Sequence, residues 1–149
     1  MSTAYSLRRY PFFTNLEDNY LEKIYKLGKV KDLDNDEWLF KQEDPAKNIY
    51  LITEGKIALA IMFRDHNHDR LNPYMRGEVI GWSALVKPHV YTMGAVAEAP
   101  SKVLSFDGKS MLTLMEENKE QGFILPRNLT ETISERLINR NIQLMSLRV

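Results

Sequence analysis

Apolar residues recur at Leu16, Tyr20, Ile24 and Leu27, at spacings of four, four and three, which predicts a short amphipathic helix. Thr14 or Asn15 can cap its start, and Gly28 can stop it. The stretch before it, residues 1–10, has no such period and is expected to be a loose N-terminus. From Lys29 onward the period shortens. Runs rich in Val, Ile, Leu and Tyr alternate with turn clusters such as Asp34-Asn35-Asp36, Glu43-Asp44-Pro45, Glu54-Gly55, Asn72-Pro73 and Arg76-Gly77. They predict strands at residues 30–33, 38–41, 49–53, 57–63, 74–75, 79–80, 91–98 and 102–106, with residues 65–69 as a solvated turn. Eight short strands favour a jelly roll, or double-stranded β-helix, over about residues 29–107.

After Asp107-Gly108 the pattern turns helical, at residues 110–117 and again at 119–147, with Gly122 the one interrupting glycine. Pro126 is expected to start the last helix or to kink it, because it removes one backbone donor. Two apolar stripes run along that helix. One holds Ile133, Leu137, Leu144 and Leu147, and its neighbour holds Leu129, Ile138, Ile142 and Met145. A helix apolar on two sides needs two surfaces to bury it. One stripe is therefore expected to pack on the β-roll, and the Ile133-Leu137-Leu144-Leu147 stripe to form a homodimer seam. The alternative is that both pack within one monomer. Arg140 interrupts the seam where a strict heptad wants an apolar residue.

With 149 residues and 44% apolar content, the chain suits one globular domain over residues 11–149. Twenty basic residues balance twenty acidic ones, so no net field attracts nucleic acid or an anionic membrane. The absence of cysteine excludes disulfides, thiol nucleophiles and thiolate-bound metal clusters. No stretch approaches eighteen continuous apolar residues, so no membrane span is expected and a cytoplasmic location is the default.

The segment 76–93, RGEVIGWSALVKPHVYTM, carries the most chemistry. A glycine turn and a second glycine lead into a one-turn helix at residues 82–85, where free backbone N–H groups form an anion-sized nest. The side chains that would accompany a sugar phosphate there, a carboxylate and an arginine, are missing. His66-Asn67-His68, with Asp65 and Asp69 beside it and His89 far along the chain, has the residue types of a metal site but the composition of a turn. No nucleophile elbow, phosphate loop or HExxH pattern occurs, so no catalysis is expected.

Several ordered words fall into one register: Pro11-Phe12-Phe13, Glu43-Asp44-Pro45-Ala46, Ile49-Tyr50-Leu51-Ile52 with Glu54-Gly55-Lys56-Ile57, Gly77-Glu78-Val79-Ile80-Gly81, and Ile133-Ser134-Glu135-Arg136-Leu137. With the element order, they make roughly residues 11–147 resemble the cyclic-nucleotide-binding domain of the catabolite activator and FNR superfamily. The resemblance implies a phosphate-binding cassette drawn from Gly77, Glu78, Gly81, Trp82, Ser83, Ala84, Leu85, Lys87, Tyr91 and Thr92. Within it the cassette glutamate falls on Trp82 and the phosphate arginine on Tyr91. No arginine lies between Gly77 and Pro126. Removing one partner of a buried charge pair costs about 2 to 5 kcal/mol, which is about thirty-fold to several thousand-fold in affinity.

The expected function is therefore a non-enzymatic sensory or regulatory domain with weak or no cyclic-nucleotide binding and an altered small-molecule effector. Two alternatives stand beside it. One is a ligand-free dimeric interaction scaffold whose pocket Trp82 and Tyr91 fill, and the other is a cyclic AMP or cyclic GMP receptor using Lys87 as a substitute cation. Only Arg148-Val149 follow Leu147, so a DNA-reading module is not expected, and transcriptional output would need a separate regulatory protein partner.

Overall fold

The computed structural model describes residues 4–65 and 67–147. Nine strands form two antiparallel sheets: β1 (Lys29–Leu33), β2 (Trp38–Phe40), β3 (Asn48–Glu54), β4 (Lys56–Met62), β5 (His68–Arg70), β6 (Tyr74–Met75), β7 (Val79–Ile80), β8 (Gly94–Ala97) and β9 (Ser101–Asp107). One sheet has the order β1-β9-β3-β7. The other has β2-β8-β4-β5, with β6 also on β4. The two form a jelly roll flanked by an N-terminal helix, α1 (Asp18–Leu27), and a long C-terminal one.

The expected strands all form, and a ninth joins them. Of the turn expected at residues 65–69, residue 66 lies outside the described residues, and the end of the segment enters β5, which pairs with the end of β4, Met62 opposite His68 and Ala60 opposite Arg70. Asp65 tightens the connection by accepting from the Asn67 backbone and side-chain amides at 3.2 and 2.9 Å. The hairpin is held by polar and edge contacts, His68 against the Trp38 ring and Arg70 near Glu98. The expected strand at 91–98 is shorter at its start. The Tyr91 backbone turns aside to exchange hydrogen bonds with Glu43 and Asp44.

Of the N-terminus expected to be loose, residues 1–3 lie outside the described residues, and the rest is ordered. Ala4–Arg9 and Pro11–Phe13 form 3-10 turns, and Leu7, Phe12 and Phe13 are buried. Phe13 lies 5.6 Å from the ring of Phe106 on β9. Neither Thr14 nor Asn15 caps α1. Glu17 occupies that place, and its backbone N–H donates to Gln121 Oε1 at 2.8 Å. Gly28 does follow the last helical residue.

Two helices close the chain, α2 (Gly108–Glu117) and α3 (Lys119–Ser146). The break falls at Asn118 and not at Pro126, which lies inside continuous helix. Asn118 Oδ1 accepts from the Gln121 N–H, and the corner is tight because a Cβ on Gly122 would come 2.3 Å from the Met115 carbonyl oxygen. The first half of α3 is docked. Leu125 is fully buried, and the buried Asn128 amide donates to the carbonyls of Phe12 and Thr14 at 3.1 and 3.0 Å. The second half is not. Leu137, Ile138, Ile142, Leu144, Met145 and Leu147 are all exposed, so neither stripe packs on the roll beyond Leu129 and the half-buried Ile133. No helix is long and apolar enough to cross a membrane among the described residues.

Asp107 caps α2, its Oδ2 accepting from the backbone N–H and the hydroxyl of Ser110, both at 2.9 Å. These bonds favour the charged carboxylate and hold it below its ordinary range. Its stabilising effect is therefore present above the unfolded value, about 3.9, and is lost as pH falls through the depressed folded value. Asp107→Ala is expected to cost about 1 kcal/mol, seen as a lower urea midpoint at neutral pH and a shallower loss of stability on acidification.

Candidate functional site

The segment after β7 turns on Gly81, whose left-handed backbone (φ 81) starts a 3-10 turn at Trp82–Leu85. Glycine is required twice over there, for the conformation and because a Cβ would sit 3.0 Å from the Asn48 carbonyl oxygen. The turn faces β2 and the chain entering β8, and between them lies a recess of about 70 Å³. Gly81, Trp82, Ser83, Tyr91 and Thr92 line it, with Phe40, Leu59 and Met93.

Tyr91 governs its shape. The ring is 4% exposed and stacks on Phe40 at 3.7 Å between centroids, 14° from parallel. Tyr50 also stacks on Phe40, at 5.9 Å. The Tyr91 hydroxyl donates to the Asn48 carbonyl at 2.6 Å, so the polar end of the ring is satisfied inside the fold. Burial, then the neighbouring Tyr50, push the Tyr91 phenol well above its ordinary value. Burial likewise raises Tyr50. Phe40, Tyr50 and Tyr91 thus form one uncharged aromatic cluster beside the recess.

Five of the ten sequence-predicted residues do not line the recess. Gly77 provides a left-handed turn (φ 91) and donates its N–H to the Ile52 carbonyl. Glu78 faces away, accepting from the Met75 N–H at 2.7 Å and from Arg136 Nη2 and Nε on α3 at 2.7 and 3.2 Å. The Arg136 guanidinium also lies 3.3 Å from the centroid of the Tyr74 ring. Ala84 is buried under α2, where a Cβ on Gly108 would meet its carbonyl at 2.7 Å. Leu85 is half-buried against the core, and Lys87 stands exposed in the loop before Pro88. No arginine lines the recess among the described residues.

Sequence reasoning missed Phe40, Leu59 and Met93. Phe40 lies on a Trp-Leu-Phe run that reads as core, and only the roll brings it against a tyrosine far along the chain. The metal reading gains no geometry: His66 lies outside the described residues, His68 packs on Trp38, and His89 Nδ1 lies 3.2 Å from the Ser83 carbonyl oxygen. No group of three or more potential metal ligands occurs among the described residues.

The family model described as "Cyclic nucleotide-binding domain" matches residues 30–118. None of the curated proteins matches the sequence. Among solved structures, a putative cyclic nucleotide-binding protein from Geobacter metallireducens is similar at 28% identity and TM-score 0.81, over 92% of this chain and 99% of that one. The sensor domain of the transcriptional regulator DNR from Pseudomonas aeruginosa shares the fold at 19% identity and TM-score 0.73, over 88% of each chain. So does the regulatory subunit of a cAMP-independent protein kinase A from Trypanosoma brucei, at 13% identity and TM-score 0.71, over 85% of this chain and 44% of that one.

Proposed function

The chain belongs to the cyclic nucleotide-binding domain family, and from that premise we propose a non-enzymatic regulatory domain whose inherited recess is filled by its own Tyr91. It acts through its C-terminal helix on a second copy and on a separate protein partner. The observation that carries this reading is the Tyr91–Phe40 stack at 3.7 Å with the Tyr91 hydroxyl bonded to Asn48. Pockets for drug-sized ligands run to about 300–1,000 Å³, and about 70 Å³ is well short of that. A cyclic nucleotide would have to displace the ring and then find neither a carboxylate for its ribose nor a guanidinium for its phosphate. The fold does not by itself oblige use of cyclic AMP, since it occurs in the regulatory subunit of a kinase described as cAMP-independent.

The substitute-cation reading has less support, since Lys87 is exposed and does not line the recess. A small apolar effector entering beside Trp82 and Met93 remains the second reading, favoured by the aromatic lining. Isothermal titration with cyclic AMP and cyclic GMP is expected to give no saturable heat up to about 1 mM, where binding would amount to only about 4 kcal/mol. Micromolar affinity for either would overturn the proposal.

The dimer reading rests on the exposed end of α3, with a revised face. At about 100° per residue, Ile138, Ile142 and Met145 stand on the side of the helix opposite Arg136, which touches the roll. They follow one another at spacings of four and three without interruption. The Leu137-Leu144 stripe flanks the body and is broken by Arg140. The second copy is thus assigned to the Ile138-Ile142-Met145 side.

A further inference from the structure

A second depression, about 580 Å³, lies on the outer face of the β1-β9-β3 sheet. Alternation along the strands explains its floor. Val103 and Ile52 point into the core, so their neighbours Leu104, Lys102 and Thr53 point out, and Val30 is paired directly opposite Leu104. The 3-10 segment ending at Arg9, with Tyr10 just after it, forms one wall. The Arg76-Gly77 turn closes against it, since a Cβ on Gly77 would lie 3.5 Å from the Tyr10 ring.

The charge of this groove departs from that of the chain. Arg9, Arg76 and Lys102 line it against a single carboxylate, Glu54, in a protein whose basic and acidic residues balance. Arg8 next door is paired with Asp18, but Arg9 and Arg76 make no ion pair among the described residues. Lys102 has only the exposed Asp32 at 3.9 Å. Two guanidinium groups without acids, at the edge of a concave surface with an apolar floor, suit an anion with several oxygens. The apolar floor suits a flat or aliphatic body attached to it. Val30 is 64% exposed on this floor.

We propose that this groove binds a small phosphomonoester, with Arg9 and Arg76 meeting the phosphate, Lys102 adding positive charge, and the organic part lying over Val30 and Leu104. The volume falls within the ordinary ligand range of about 300–1,000 Å³. The site is separate from the recess beside Gly81 and does not depend on whether that recess is filled.

The test is titration of the full chain, labelled with nitrogen-15, with adenosine 5′-monophosphate at about 0.15 M salt, where exposed charges are screened beyond about 8 Å. Adenosine and sodium sulfate serve as controls. The expected result is saturable amide shifts in β1, β9 and the end of β3, with a dissociation constant of about 0.1 to 1 mM. Adenosine should leave those amides unmoved, and sulfate should shift them less. The exposed double variant Arg9→Gln/Arg76→Gln should bind at least about tenfold more weakly, with an unchanged spectrum away from the groove. Equal shifts from sulfate, shifts confined to residues 81–93, or unchanged affinity in the double variant would overturn the assignment. So would tighter binding of a poly-glutamate peptide, which would give the groove to an acidic protein instead.

Discussion

Replacing Tyr91 by alanine is expected to lower the stability of the domain by about 3 to 4 kcal/mol, in the range measured for large aromatic-to-alanine changes in cores. The ring is almost wholly buried and stacked on Phe40, so its removal leaves a void that the rigid strands β2 and β8 cannot close. Tyr91→Phe separates the hydroxyl from the ring. It keeps the stack but leaves the Asn48 carbonyl without its 2.6 Å donor, for an expected loss of about 1 to 2 kcal/mol. Urea unfolding of the three proteins checks both figures. A raised phenol contributes stability that is present below its ordinary value, about 10, and lost as pH rises through the folded value. Absorbance titration should therefore show Tyr91 ionising only as the native protein unfolds. If Tyr91→Ala is as stable as the parent, the ring is not structural and the filled-recess reading fails.

The second large effect concerns α3. Ile138→Glu with Ile142→Glu is expected to convert the proposed dimer to monomer, weakening association at least about 1,000-fold. Four buried isoleucines per dimer, at about 1.5 kcal/mol or more each, are replaced by facing charges. Leu137→Glu with Leu144→Glu, on the flanking stripe, should weaken it much less. Both pairs are exposed in the single chain, so neither substitution disturbs the core. Sedimentation equilibrium of the three proteins reads the outcome. A parent protein that sediments as a monomer at about 100 µM, where a contact of useful strength would be saturated, removes the dimer altogether.

What the sequence reveals follows the range of the interactions involved. The α1 periodicity, the glycine turn at Arg76-Gly77 and the apolar runs of β3 and β4 are local signals, and each became the expected element. The β5 strand escaped notice because its residues are polar and its pairing with β4 is fixed by cross-strand partners, which no alternation pattern records. The resemblance sets Tyr91 against the family's arginine position, but register says nothing of its ring lying flat on Phe40, which depends on how the roll folds the two segments together. Glu78 was legible as part of the glycine turn, but its partner Arg136 is 58 residues away on another element. The two-stripe pattern of α3 was visible, and its meaning depended on where the roll ends beneath the helix.

The buried Asn128 amide has a consequence for how the chain comes together. It ties off the carbonyls of Phe12 and Thr14 across separations of 116 and 114 residues, and Gln121 fastens the start of α1 across 104. β1 likewise finds its partner only in β9. During synthesis these opening contacts thus wait until β9, and then Gln121 and Asn128, have been made. Closing contacts of such long range is the slow part of reaching a topology like this one. The opening segment is accordingly locked late, and stays open to chaperones and proteases while those later elements are being translated.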